Sequence, residues 1–132
     1  MATRSLIGIK LDNNIVKTIY CHWDGYPEHN GKLLVENYTS PASVFELMEL
    51  GDLSSLAATP DKCQAYHRDK KEPYSMVEAR DINQSELTGA GNDYGVDYVY
   101  LYNEEFEWEC HRLDHPAGVL VPVDILSELA LN

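Results

Sequence analysis

His22 and Asp24 stand on either side of Trp23 in the run Tyr20-Cys21-His22-Trp23-Asp24-Gly25-Tyr26-Pro27. A histidine beside a carboxylate can be tuned as a general base, and a nearby guanidinium can stabilise developing negative charge. Arg68 and Asp69 supply the remaining groups if the 63–72 segment packs against the 20–27 loop. The candidate catalytic set is therefore His22, Asp24, Arg68 and Asp69, with Arg4, Ser5, Tyr20, Tyr26, Tyr66 and Glu72 as candidate ligand-binding neighbours. Alternation along an extended chain puts His22 and Asp24 on one side, within reach of each other. In the architectural alternative, Asp24 caps its own turn, His22 bonds backbone and Arg68-Asp69 is a structural ion pair. No G-x-S-x-G, P-loop or H-E-x-x-H pattern occurs to favour an enzyme. If the set is catalytic, replacing His22, Asp24 or Arg68 should abolish activity at little cost in stability.

Each cysteine has a histidine near it: Cys21-His22, Cys63 with His67, and Cys110-His111 with His115. Zinc takes four N or S ligands, usually delivered as compact pairs. Neighbours in a strand point to opposite faces, so only Cys63/His67 and His111/His115 have pair spacing. Buried apolar cysteines are the favoured reading, with no metal or other cofactor. Lys62, His67, Arg68, Lys70 and Lys71, with Tyr66 and Tyr74, form the chain's one positive cluster. It can hold a phosphate or nucleotide-type ligand with a tyrosine stacked on the base, although a solvated loop is the simpler account.

The elements that must position these residues begin with Ser5–Leu11 and Ile15–His22, an antiparallel hairpin around Asp12-Asn13-Asn14. Lys32–Tyr38 reads as a two-turn helix. Ser40 caps a second helix opened by Pro41, striped by Val44, Phe45, Leu47, Met48 and Leu50, and stopped by Gly51. Asp52–Leu56 reads as a short helical turn capped by Asp52. Residues 57–97 read as loops, the Gly89-Ala90-Gly91-Asn92 cluster among them, with one short strand near Met76–Ala79. Asp97–Tyr102 and Phe106–Arg112 form a second hairpin around Asn103-Glu104-Glu105, with Tyr98, Tyr100 and Tyr102 on one face. Val119–Val121 is a last strand, and Pro122 opens a C-terminal helix carrying Val123, Leu126 and Leu129. These pieces predict one globular domain over residues 1–132. Its class is α+β: a mainly antiparallel sheet built from hairpins, packed with two or three short helices.

The 132 residues are 44% hydrophobic, which fits a folded globule. The net charge of −12 is uneven: residues 1–80 sum to −2, whereas 81–132 hold only Arg112 against eleven acids and sum to −10. Such a surface repels nucleic acid and anionic membrane. It suits a partner with a basic surface, met by Glu104, Glu105, Glu107, Glu109 and, if the tyrosine stripe is exposed, by Tyr98, Tyr100 and Tyr102. No apolar run approaches the roughly 20 residues that span a bilayer. An odd number of widely spaced cysteines favours a reducing cytoplasm.

Thr3-Arg4-Ser5-Leu6-Ile7-Gly8, the Ile19–Pro27 run, Gly51-Asp52-Leu53-Ser54-Ser55-Leu56, Cys63–Asp69 and Asp97-Tyr98-Val99-Tyr100-Leu101 together resemble a group of small proteins encoded by bacteriophages and prophages. The group shares the Thr-Arg-Ser start and a Tyr-x-His-x-Asp-Gly-Tyr-Pro motif. This chain departs from it at His67, where a glycine often stands, and at Lys70-Lys71-Glu72, where Arg-Gly-Glu is usual. The resemblance implies a phage accessory protein in the bacterial cytoplasm and no particular activity. The expectation is a protein that acts by binding and inhibits a host defence or regulatory component. The alternative is a small enzyme, or a sequestering protein, for a nucleotide-type ligand. Convergence of His22, Asp24, Arg68 and Asp69 on one concave pocket discriminates between them.

Overall fold

The computed structural model describes residues 2–125. Two hairpins meet at its centre. β1 (Ser5–Lys10) and β2 (Ile15–Cys21) are antiparallel, joined by a turn in which Asn13 and Asn14 both take positive φ, a conformation asparagine tolerates. β6 (Tyr98–Tyr102) and β7 (Trp108–Asp114) form the second antiparallel pair. The hairpins join through a parallel β1–β6 seam that sets Ser5 opposite Tyr98.

Three short strands enlarge the sheet: β3 (Leu53–Ser55), β4 (Gln64–Ala65) and β5 (Arg80–Asn83). The outer edge of β2 is shared, its first residues pairing with β5 and its last, Cys21, with Leu53 of β3. β8 (Val119–Val123) closes the far side, giving the order β4-β3-β2-β1-β6-β7-β8 with β5 also on β2. Four helices complete the described residues: α1 (Lys32–Asn37), α2 (Pro41–Glu49), α3 (Tyr74–Val77) and α4 (Leu87–Tyr94). The fold is α+β with a mixed, mostly antiparallel sheet.

Both faces of the sheet are covered. Ile7, Ile9, Ile19, Tyr100 and Tyr102 pack with Leu34 of α1 and Val44, Leu47 and Met48 of α2. Leu6, Val16, Val99, Leu101 and Leu113 pack with Leu87 of α4 and Val96 on the other side. Hence Leu6 is as buried as Ile7 although they face opposite ways. The expected capping of α2 is present: Ser40 Oγ accepts from the Ser43 backbone N–H, and Pro41 opens the first turn.

Four expectations are corrected. Asp52–Leu56 is not a helical turn; Leu53 pairs with Cys21, and the Asp52 carboxylate is used far along the chain. The strand near Met76–Ala79 gives way to α3, with the strand beginning at Arg80. The Gly89-Ala90-Gly91-Asn92 cluster is helical within α4. A Cβ on Gly91 would lie 3.4 Å from Val96 and 3.5 Å from Leu113, ordinary van der Waals contact. Pro122 does not open a helix; it lies in β8, opposite His111. β8 ends the sheet order, and an edge strand can spare the N–H that proline lacks. Leu126 and Leu129 lie outside the described residues.

Candidate functional site

β2 ends at Cys21, and the next two N–H groups extend the pairing to β3, His22 to the Leu53 carbonyl and Trp23 to that of Ser54, both at 3.0 Å. At Asp24 the backbone turns to φ 56°, which ends the side-chain alternation expected from an extended chain. His22 and Asp24 consequently make no hydrogen bond or ion pair with each other. The Tyr20 hydroxyl lies 2.7 Å from His22 Nδ1, whereas Asp24 accepts a bond from the Tyr26 hydroxyl at 3.2 Å.

The loop that follows is locked from beneath. Gly25 donates its N–H to the Thr3 carbonyl at 2.8 Å, and its own carbonyl accepts from the buried Tyr100 hydroxyl at 2.7 Å. A Cβ at Gly25 would stand 2.9 Å from the Thr3 oxygen and 3.0 Å from the Arg4 carbonyl carbon. Fully buried Asn30 sets its amide nitrogen 3.3 Å from the Trp23 carbonyl and 3.4 Å from both Ser5 Oγ and Cys21 Sγ. Ser5 is closed to ligand, and burial pushes the Cys21 thiol up to about 12, which removes it as a nucleophile at neutral pH. Trp23 and Tyr26 project from this frame, 45% and 37% exposed.

Arg68 faces its own loop. Its Nε lies 3.0 Å from Asp69 Oδ1, one terminal nitrogen donates to the Pro60 carbonyl at 3.0 Å, and the other to the Cys63 carbonyl at 2.6 Å. The Arg68 bonds hold the Asp69 carboxyl below its usual range, helped by the Ala65 N–H, which donates to Asp69 Oδ2 at 2.8 Å. The pair is a loop clasp, with its donors spent on residues 60–69. Arg68→Ala is expected to speed tryptic cleavage at Lys62 and Lys70 severalfold, since the loop loses its clasp, while leaving any partner binding unchanged. Limited proteolysis beside a binding assay checks this, and lost binding with unaltered cleavage would return Arg68 to the functional set.

The remaining candidates are dispersed. The Arg4 N–H donates to Asp97 Oδ2, Tyr66 meets Ser54, and Glu72 ties its backbone to Tyr66 and His67. Cys63 packs against Ala57 and Tyr38, whereas His67 turns to the Glu72 carbonyl and the Tyr74 ring. Among the described residues no group of three His, Cys, Asp or Glu side chains is placed to hold a metal ion. Four clefts in the described surface are lined by none of His22, Asp24, Arg68 and Asp69.

Sequence reasoning missed the junction that Tyr20 does join. Asp52, only 7% exposed, accepts the Tyr20 N–H at 2.8 Å and an Arg80 guanidinium nitrogen at 2.7 Å. Arg80 lies 4.9 Å over the Tyr94 ring, and Tyr94 stacks on Tyr20 at 5.5 Å. Residues 20, 52, 80 and 94 share no local pattern, and only the tertiary fold brings them together, Tyr94 from α4, Tyr20 from β2, Arg80 from β5 and Asp52 from just before β3.

The β6–β7 turn carries the clearest outward chemistry. Asn103 Oδ1 accepts the N–H groups of Glu105 and Glu107, at 2.9 and 3.1 Å, and this turn holds Phe106 at φ 63° and 65% exposed. Around it, Glu104, Glu105 and Glu107 are exposed. Glu109 is otherwise engaged, with Lys10 at 3.6 Å, His111 at 3.2 Å and Asn103 at 3.0 Å. Burial pushes the Glu109 carboxyl up, but those partners outweigh it and hold it below the usual range. Tyr100 and Tyr102 lie in the core and offer no free face, and Tyr98 is half-buried. No helix of the described residues is long and apolar enough to cross a membrane. Set beside known protein families, curated proteins and solved structures, the chain matches none of them.

Proposed function

We propose that the protein acts by binding a partner protein with a basic surface, and that in a phage-infected bacterial cytoplasm this binding inhibits a host defence or regulatory component. The observation that carries the reading is the β6–β7 tip, where an exposed aromatic ring on a rigid turn is ringed by three exposed glutamates. An exposed aromatic anchor with complementary charge around it is the composition of a binding hot spot. Catalysis by His22, Asp24, Arg68 and Asp69 finds less support. The first two face different partners, and the last two close a loop. The phage-like motifs supply the biological setting.

The test is the salt dependence of association with a partner captured from the bacterial host. Raising ionic strength from about 0.05 to 0.3 M should slow association roughly tenfold, since steering by exposed charge is screened beyond a Debye length. Replacing Glu104, Glu105 and Glu107 together by Gln should slow it comparably, with dissociation and melting temperature little changed. Glu109 is left intact because it is bound into the hairpin. Association indifferent to both salt and substitution would mean that the acids serve only solubility.

A further inference from the structure

A cleft of about 190 Å³ opens beside that tip, lined by Val35, Thr39, Phe106, Glu107 and Trp108, with Tyr102 among its walls. It is smaller than the roughly 300–1,000 Å³ of pockets that take whole small molecules, and suits one side chain. Three rings converge there: Tyr102 lies 5.1 Å from Trp108 and 6.4 Å from Phe106, centroid to centroid. Trp108 is fixed by a 2.9 Å bond from its indole nitrogen to the Tyr38 carbonyl.

One acidic group lines this cleft. Glu107 carries a carboxylate that makes no ion pair among the described residues, whereas neighbouring Glu104 and Glu109 both lie 3.6 Å from Lys10.

We propose that this cleft receives an arginine side chain of the basic partner, an inference that rests on the binding role proposed above. A guanidinium is flat and weakly hydrated, so it can stack on Phe106 and Trp108. Its forked donors can pair with both oxygens of the Glu107 carboxylate. An aliphatic side chain would leave that carboxylate unanswered, and a lysine ammonium is too strongly hydrated to stack as well.

The probe is the tripeptide acetyl-Gly-Arg-Gly-amide, titrated at low salt into the ¹⁵N-labelled protein while the Trp108 indole N–H resonance is followed. Citrulline and leucine counterparts and a tetralysine peptide serve as comparisons. The arginine probe should move the Trp108 signal saturably in the millimolar range. Citrulline and leucine should bind at least about tenfold more weakly, the scale of one cation–aromatic or charge-assisted contact. Glu107→Gln should weaken the arginine probe severalfold. Glu107 is exposed, so the substitution should leave the melting temperature unchanged, and weaker binding would not reflect unfolding. The inference is overturned if Trp108 does not respond to arginine, if citrulline or leucine binds equally well, or if Glu107→Gln leaves affinity unchanged. Tetralysine separates the two readings. Salt-sensitive shifts at Glu104–Glu107 without an arginine response at Trp108 would overturn the cleft alone, and no response to any basic peptide would overturn both.

Discussion

Gly51→Ala is expected to lower the stability of the fold by about 2–5 kcal/mol, combining a left-handed backbone with a steric clash. Gly51 ends α2 at φ +75°, and a Cβ built there falls 2.4 Å from the Val77 carbonyl oxygen. That oxygen accepts the Asp52 N–H at 2.7 Å, so the chain cannot yield there without breaking the bond that starts β3. Gly89→Ala is the control, because a Cβ at Gly89 meets nothing within 4 Å. Inside a helix it should gain roughly 0.5–1 kcal/mol. Urea unfolding of the two variants should move the midpoint in opposite directions. Equal shifts would mean that the turn after α2 has been assigned the wrong geometry.

The second large effect is at the Asp52–Arg80 pair. Asp52→Ala strands a guanidinium and the Tyr20 N–H, and breaking one side of a buried pair costs about 3–5 kcal/mol. Its pH dependence has a definite sign. Burial is the largest influence on Asp52 and pushes its carboxyl up; the bonds from Arg80 and the Tyr20 N–H oppose this without cancelling it. A carboxyl whose folded pKa lies above its unfolded value favours folding when protonated, and that contribution is lost as pH rises through the folded pKa. Arg80→Met removes the main counterweight and raises Asp52 further. The variant should therefore trail the parent by about 2–3 kcal/mol near pH 7, with the deficit shrinking towards pH 4.5. A deficit constant across that range would show that packing of the Arg80 stem over Tyr94, and not its charge, holds the junction.

The parts of the fold legible in the sequence are those whose signal is local. Asn13 and Asn14 mark the β1–β2 turn, Ser40-Pro41 marks the start of α2, and alternation marks β6 and β7. β3 was not legible because three residues carry no periodicity, and Asp52 resembles a cap until Tyr20 and Arg80 are brought to it. α4 was hidden by Gly89 and Gly91, which lower helix propensity in its middle.

At the candidate site, the Tyr20–Pro27 run is as distinctive as its composition implies, but much of that distinction is structural. Its loop hangs on Asn30 and Tyr100, one just past the run and the other 75 positions from Gly25. The tyrosine stripe does share a face. What the sequence could not tell is that α1 and α2 cover it, leaving Phe106 as the ring that reaches solvent.

The parallel seam between β1 and β6 has a kinetic consequence. Each hairpin closes over a few residues and can form within microseconds. The seam joins strands about 93 positions apart, as the bond from the Arg4 N–H to Asp97 shows. Closing so long a loop carries an entropic cost of about 4 kcal/mol, which must be met before the seam returns any contact energy. The seam that pairs Ser5–Ile9 with Tyr98–Tyr102 is therefore expected to form after the two hairpins and to slow the folding of the chain.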